Sequence, residues 1–303
     1  MEAKKSSLLL SKWTHELFGS KMNYRLRYFH QRGHLPNLKD PKDMSEILVS
    51  QMFNLSQCVS YAPFVDKLAV RDYVEWKGLG HILLKHYGVW SRPEDVEFDN
   101  LPEKFVLKSN NGCGHHIICR DKSKLDTKEA IAEMHRAIMS GVTHVEPHYH
   151  YITPRIYAEE LIETPDGSLP VDYKFTCVGG EIMDIFVATD RATSAHYCTL
   201  DENWNPLPYT KKEYLPKQMP ETPKHMKELV EVAKVLSKDF GFVRVDLYEY
   251  REQPYISELT FFPWGALLYS YTDEAIKLYG EKWHEWKKEL AGNHKSLVNN
   301  EKA

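Results

Sequence analysis

Apolar positions recur at helical spacing in the N-terminal part of the chain. Ile47, Leu48, Met52 and Leu55 form one stripe, and a second helix is expected from Pro63 to Val74. A loop rich in turn residues is expected around Gly33 to Pro41. From about residue 104 the period shortens to two. Phe105 to Leu107 reads as a strand entering Lys108-Ser-Asn-Asn-Gly112-Cys113-Gly114-His-His116, and Ile117 to Cys119 resumes a strand beyond that loop. Asp126, with Glu129 three residues on, predicts a capped helix whose buried stripe is Ile131, Met134 and Ile138.

Further along, Arg155 to Ile162 reads as a strand before a Pro165-Asp-Gly167 turn. Val171 to Val178 and Glu181 to Ala188 are strands joined by Gly179-Gly180, a two-residue hairpin signal. Pro, Asn and Lys residues crowd positions 200 to 221, which predicts a surface excursion. Thr222-Pro223 predicts a helix start, with the helix running to about Phe240 and burying Met226, Leu229, Val230, Ala233 and Leu236. A last hairpin, Val243 to Tyr248 with Tyr255 to Leu259, precedes a helical C-terminal region. This pattern divides the chain into a mainly helical region 1-75, a region 76-154 around the glycine loop, and a region 155-303.

At 303 residues, 42% of them hydrophobic, the chain can fill a sizeable core. Its 39 basic residues are scattered among 43 acidic ones, for a formal net charge of -4, so neither nucleic acid nor an anionic membrane is the expected partner. Cys58, Cys113, Cys119, Cys177 and Cys198 form no C-x-x-C pair, which argues against a disulfide framework or a structural zinc. Leu8 to Leu10, preceded by Lys4 and Lys5 and followed by Lys12, is too short for the core of a secretion signal. No stretch reaches the ~18 apolar residues of a membrane span. Stable membrane insertion is therefore not expected, and the expected location is cytoplasmic.

Chemistry concentrates in a few places. On Val243 to Leu247 alternation turns Val243, Val245 and Leu247 to the core, and Arg244 and Asp246 together to the other side. The same alternation puts Ile256, Glu258 and Thr260 on one face of the next strand, where hairpin pairing brings Glu258 near Asp246. Two carboxylates so placed make either an ion-paired hairpin or an oxygen-rich Mg2+ site. Asp172 and Lys174 share a strand face, from which Lys174 could reach phosphates or form a cross-strand salt bridge. Lys108 leads into a loop whose backbone N–H groups could surround a phosphate, or which is a plain hairpin loop. That loop is neither a Walker A nor a dinucleotide fingerprint. Glu159-Glu160-Leu161-Ile162 offers backbone groups for an adenine edge and an acidic side chain for a ribose. Histidines cluster at His115-His116 and at His144, His148 and His150; His-x-His on one strand face could bind zinc, but no third ligand follows at a persuasive spacing. Trp264, Tyr269 and Tyr271 could line a sugar-sized pocket or simply pack.

Taken in order, these elements resemble the ATP-grasp superfamily. The likeness comprises Asp66-Lys67, a strand lysine with a glycine-rich loop, a Glu-Glu-x-Ile hinge, and Arg-x-Asp followed by Glu-x-x-x-x-Pro-x-Gly. Within it the chain is similar to the TupA-like (teichuronopeptide-biosynthesis) branch. The features shared with that branch are Met44-Ser-Glu46-Ile, Asp66-Lys67-Leu-Ala-Val-Arg71-Asp-Tyr73-Val, Lys108-Ser-Asn-Asn-Gly-Cys-Gly114, Asp172-Tyr-Lys174-Phe and Glu258-Leu-Thr-Phe-Phe-Pro263. The resemblance implies an α+β ATP-grasp fold, with the nucleotide held between two α+β subdomains and a mainly helical N-terminal region. It also implies ATP and Mg2+ as cofactors, and an amide ligase that works through an acyl phosphate.

Carried over by position, Lys67 and Lys108 would hold phosphates, with Gly112 and Gly114 letting the loop approach them. Glu159, Glu160, Leu161 and Ile162 would form the adenine hinge. Asp246 and Glu258 would bind Mg2+. Thr260 stands in the metal set where D-alanine:D-alanine ligase carries asparagine, which leaves the number of metal ions open. Arg244 would stabilise charge on the acyl group, and Lys174 is the other expected catalytic group. The implied substrates are a small-molecule or glycan carboxylate, such as a uronic acid, and an amino acid amine; contact with polysaccharide-assembly enzymes is implied too. Two other enzyme classes are weaker fits. A glycosyltransferase lacks its Asp-x-Asp here, and a kinase would place the glycine loop before the strand lysine. A non-catalytic nucleotide-binding protein is the third alternative.

Overall fold

The computed structural model describes residues 21–112, 114–140, 146–164, 166–189 and 196–300, without the side chains of 140 and 293–300. The Leu8–Leu10 run with its lysines, Cys113, His144 and Pro165 lie outside these residues. Helices in chain order are α1 (21–32), α2 (Met44–Met52), α3 (Leu55–Val65), α4 (Val70–Trp76), α5 (Thr127–Ser140), α6 (Met226–Ser237) and α7 (Asp273–Asn300). The strands are β1 (His86–Trp90), β2 (Phe105–Ser109), β3 (His116–Cys119), β4 (Ile156–Glu159), β5 (Asp172–Val178), β6 (Glu181–Thr189), β7 (His196–Leu200), β8 (Pro206–Leu207), β9 (Phe242–Tyr250) and β10 (Gln253–Thr260). They form two compact α+β units. One comprises the described parts of Met1–Phe53 and Val171–Ala303, the other Asn54–Pro170. The expected boundaries at 75/76 and 154/155 both fall inside the second unit.

In the second unit an antiparallel sheet of order β1-β4-β2-β3 carries α5 on one face. Phe105, Leu107, Cys119, Ile156 and Ala158 point into that interface, and alternation sends Lys108 to the opposite side. Asp126 caps α5 by accepting from Lys128 N at 2.9 Å and Glu129 N at 3.1 Å. The buried stripe of α5 is Ala130, Met134 and Ala137; Ile131 and Ile138 flank it half-buried. Small residues at the centre let the helix approach the sheet closely, so the bulkier isoleucines fill its edges.

Two N-terminal expectations shift. Leu55 is 64% exposed because it opens α3 instead of continuing the stripe of α2; Phe53 ends one helix and Asn54 caps the next. The helix expected over Pro63 to Val74 is the end of α3 followed by α4. Asp66 turns extended between them, and its carboxylate accepts from Leu68 N at 2.8 Å and Ala69 N at 3.3 Å.

The first unit is built on an antiparallel sheet of order β10-β9-β5-β6-β7-β8. Gly179 and Gly180, at φ 60 and 86, make the tight turn between β5 and β6. On one face α6 buries Leu229, Val232, Ala233 and Leu236 against the sheet. It starts at Met226 rather than at Thr222. The carboxylate of Glu249 on β9 accepts from Lys224 N at 3.2 Å and His225 N at 2.6 Å, which replaces the expected hydroxyl cap. Met226 and Val230 are half-buried, and Val232 takes the core position instead. Helix α7 packs against α2, and Gly280 permits a close approach: a Cβ there would stand 2.3 Å from the Lys42 carbonyl oxygen.

Candidate active site

The polar face of the six-stranded sheet gathers the charges. Val243, Val245 and Leu247 are fully buried on the α6 side, as alternation predicts, and Arg244 and Asp246 share the other face. Pairing with β5 sets Lys174 opposite Asp246 and Thr176 opposite Arg244. On the other flank, β10 sets Glu258 opposite Asp246 and Thr260 opposite Arg244. An irregularity between Ile256 and Glu258 corrects one expectation, since Ile256 pairs with Leu247 on the core side and does not share a face with Glu258. The extra residue, Ser257, is what lets an apolar core position and a carboxylate sit only two positions apart.

The resulting network is cross-linked, buried at Arg244 and Asp246 and half-buried at Asp172, Lys174, Glu258 and Thr260. Arg244 grips Asp246 in a fork, Nε to Oδ1 and Nη2 to Oδ2, both at 2.6 Å. Its Nη2 also reaches Thr260 Oγ1 at 3.2 Å and Glu258 Oε1 at 3.4 Å, and Thr260 donates to Glu258 at 3.0 Å. Lys174 bridges Asp172 at 2.5 Å and Asp246 at 2.6 Å. Three carboxylates thus meet two cations, with Asp246 only 1% exposed. Burial works against the Arg244 charge, yet Asp246 and Glu258 more than offset it and raise its pKa. Burial likewise pulls the Asp246 carboxyl upward, opposed by Arg244 and Lys174. Such a face differs from a solvated row of surface ion pairs, whose partners would be wet and weakly coupled.

Beside it runs Pro263–Ala266, a short turn in which Trp264, Gly265 and Ala266 take φ of 52, 62 and 67. The left-handed conformation is costly for Trp264 and Ala266, though not for Gly265. Arg32 anchors the segment that follows: its guanidinium donates to the carbonyls of Leu267 at 3.0 Å, Leu268 at 2.8 Å and Tyr271 at 3.3 Å, and pairs with Asp273 at 2.7 Å. The turn brings the Trp264 ring to 5.7 Å from the Arg244 guanidinium carbon. Behind it Asp184 is fully buried, accepting from Thr176 at 3.3 Å, from Tyr271 at 3.1 Å and from Tyr279. Sequence reasoning placed Asp172 beside Lys174 but missed Arg32 and Asp184. A signal existed for Asp184, a lone carboxylate in the otherwise apolar Ile182 to Ala188.

In the second unit the remaining expected residues cluster around β2 and β4. Lys108 Nζ donates to Glu159, which pairs with Val106 and His86 across the sheet. Burial and the neighbouring Arg71 charge push His86 down to about 4. Lys67 Nζ donates to the Gly112 carbonyl at 2.7 Å, which ties the Asp66-Lys67 turn to the glycine loop. Asn110 reinforces this tie, donating to Asp66 at 2.9 Å and accepting from Arg155 N at 2.7 Å. Gly114 has φ 83, a conformation glycine alone adopts cheaply. Strand β4 ends at Glu159 rather than at Ile162, and Glu160 N donates to the Lys85 carbonyl at 2.9 Å. Leu161 and Ile162 follow as buried non-strand residues. The structure thus bonds Lys67 to Gly112 and Lys108 to Glu159 in the second unit, and brings Lys174, Arg244, Asp246, Glu258 and Thr260 into one network in the first.

Other candidates carry less. His148 and His150 sit in the 3-10 turn Pro147–Tyr151, not on a strand, with His148 buried and His150 exposed. Among the described residues no group of three or more His, Cys, Asp or Glu could hold a metal ion by itself. Mg2+ demands less, using one or two carboxylates and taking the rest of its shell from water and phosphates. The hard oxygen donors Asp246, Glu258 and Thr260 fit it on that basis. Among the described residues, Cys58, Cys119, Cys177 and Cys198 are buried free thiols, and no helix is long and apolar enough to cross a membrane.

The lysine-bearing glycine loop lies in the second unit, and the paired carboxylates with Arg244 lie on adjacent strands of the first. The family model of the TupA-like ATP-grasp proteins matches residues 47–283, and the chain belongs to that family of ATP-grasp ligases. Comparison with curated proteins finds no match. Among solved structures the chain is similar to D-alanine–D-alanine ligase from Bacillus anthracis, at 15% identity over 81% of this chain and 71% of that one, with TM-score 0.47. The corresponding enzyme from Helicobacter pylori gives 15% identity over 73% and 60%, with TM-score 0.41. An ATP-grasp ligase, PsnB, in complex with a precursor peptide gives 11% over 91% and 73%, with TM-score 0.39. The assignment rests on the family model, and these distant likenesses add no weight to it.

Proposed function

We propose that this chain is an ADP-forming carboxylate–amine ligase that joins an amino acid to a uronic acid, free, nucleotide-linked or within a glycan, for surface-polysaccharide assembly. The observation that carries the reading is the cross-linked network Lys174–Asp246–Arg244–Glu258–Thr260, centred on the buried Arg244 and Asp246 and spread over three paired strands in a chain of this family. Lys67 and Lys108 bind ATP phosphates in exchange for Gly112 and Glu159. Gly112 and Gly114 let the loop backbone approach, and the Glu159–Ile162 segment meets adenine. Since Glu160 N is already engaged by Lys85, the adenine contacts fall to the other backbone groups of the segment. Asp246 and Glu258, with Thr260, hold Mg2+, which when bound neutralises triphosphate charge.

The substrate carboxylate oxygen attacks the γ-phosphorus, the bond to the ADP oxygen breaks, and an acyl phosphate forms. Lys174, drawn from Asp172, follows the charge on the transferred phosphoryl group. The amine then attacks the acyl carbon and passes its proton to the departing phosphate. Arg244 stabilises the tetrahedral oxyanion, and the C–O bond to phosphate breaks. No protein nucleophile is required, and none of the buried cysteines is used. Dependence on ATP makes the cytoplasm the expected compartment.

Incubation with ATP, Mg2+ and a panel of uronates against amino acids tests this, with ADP, phosphate and product mass followed together. ADP, phosphate and an amide are expected in equal amounts. Glu258→Gln and Lys108→Ala should each lower kcat by roughly 100-fold or more. AMP with pyrophosphate would refute the acyl-phosphate route, and unchanged turnover in both variants would refute the site.

A further inference from the structure

Four half-buried aromatic side chains of the first unit form a closed circuit. Tyr197 and Tyr214 lie 5.9 Å apart between ring centroids, Tyr214 and Tyr269 5.8 Å, Tyr269 and Trp264 5.3 Å, and Trp264 and Tyr197 6.4 Å. Phe186 backs the circuit from the core, 5.1 Å from both Trp264 and Tyr197, and Tyr271 stacks behind it at 5.6 Å. Trp264 takes its place through a left-handed turn, at φ 52, just before the carbonyls that Arg32 binds.

We infer that Tyr197, Tyr214, Trp264 and Tyr269 are a stacking platform for the pyranose ring of a sugar acid, set so that its carboxylate lies toward Arg244. The inference rests on the role proposed above for Arg244. A pyranose has apolar C–H faces bounded by hydroxyl edges. Rings that join an apolar body to a polar tip match both parts, whereas an aliphatic amino acid would call for an apolar lining without phenols. Trp264 connects the two recognitions, because its ring lies beside the Arg244 guanidinium that would attract the carboxylate. The platform would therefore select the carboxylate substrate and not the nucleotide.

The test uses the full chain and the variants Tyr214→Ala, Tyr197→Ala and Tyr214→Phe. Steady-state ADP release is measured with D-glucuronate, with acyclic 3-hydroxybutyrate, and with the amine and ATP varied in turn. The expected result is a rise of roughly 3- to 10-fold in KM for glucuronate in the alanine variants. The KM values for ATP and amine, and kcat, should stay within about twofold, with a smaller rise for Tyr214→Phe. Saturation-transfer NMR with D-glucuronate in the absence of ATP reads the same site without turnover. Ring protons of the sugar should be saturated by the parent protein and less so by the alanine variants. Absence of ring-proton saturation by the parent, or an unchanged KM for glucuronate in Tyr214→Phe and both alanine variants, overturns the platform. A shift in amine KM instead also overturns it. Loss of sugar binding in the variants with no ligation by any form would uphold the platform and reject the ligase reading.

Discussion

Replacing Asp184 by asparagine should flatten a pH dependence that the fold builds into its own stability. The carboxyl is fully buried between the sheet and α7, and burial lifts it from 3.8 to about 7 even though Tyr279, Tyr271 and Thr176 all donate to it. Between these two values the folded protein holds a proton that the unfolded chain has already released. The unfolded state therefore binds fewer protons, and stability falls as pH rises through the window. Above the folded value both states are ionised and the slope vanishes. A carboxyl displaced that far is linked to on the order of 4 kcal/mol. The assay is urea unfolding of the parent and Asp184→Asn at intervals across the window. Subtracting the two curves removes the contribution of every other titrating group. The difference should change by about 4 kcal/mol from the acid end to the alkaline end, with the parent losing stability relative to the variant as pH increases. A flat difference, or one of opposite sign, would show that the carboxyl stays ionised in its three-hydroxyl pocket and that burial does not dominate there.

Two further substitutions probe what holds the site in shape. Arg32→Ala removes the donors for three turn carbonyls beside Trp264 and should cost about 3 kcal/mol or more in urea unfolding. Arg32→Lys should recover only part, since an ammonium lacks the fork; a fully stable alanine variant would show that the turn holds itself. Gly280→Ala forces a methyl against the Lys42 carbonyl, so it should lower stability by about 1–3 kcal/mol despite the ~1 kcal/mol gain in helix propensity. A rise in Tm would mean that α7 and the 42–43 turn separate freely.

Much of the strand architecture was legible because period-two alternation and turn chemistry are local. Gly179-Gly180, the Phe105–Leu107 strand with its loop, and the common face of Arg244 and Asp246 all follow from neighbours in sequence. What was hidden depends on distant partners. The bulge at Ser257 changes the face of Ile256 through pairing with Leu247, and nothing in the strand's own residues marks it. Helix α6 starts late because Glu249, far along the chain, takes the capping role. Asp66 splits the expected helix by a side-chain turn that competes with helical hydrogen bonds. Within the site, hairpin pairing brings Glu258 to Asp246, but the bridging of Asp246 by Lys174 needs the β5–β9 register, which joins residues 72 positions apart. Arg32 was the least visible, because a guanidinium that holds a turn by its carbonyls leaves no motif.

The most direct test of the central claim is an isotope transfer. With the accepted uronate labelled by 18O in its carboxylate, and ATP, Mg2+ and the amine unlabelled, the released phosphate is analysed by mass after a single turnover. An acyl-phosphate ligase moves one carboxylate oxygen to phosphate, so phosphate should carry one 18O for each amide formed, and ADP none. Unlabelled phosphate alongside amide formation, or label appearing in AMP, would contradict the account.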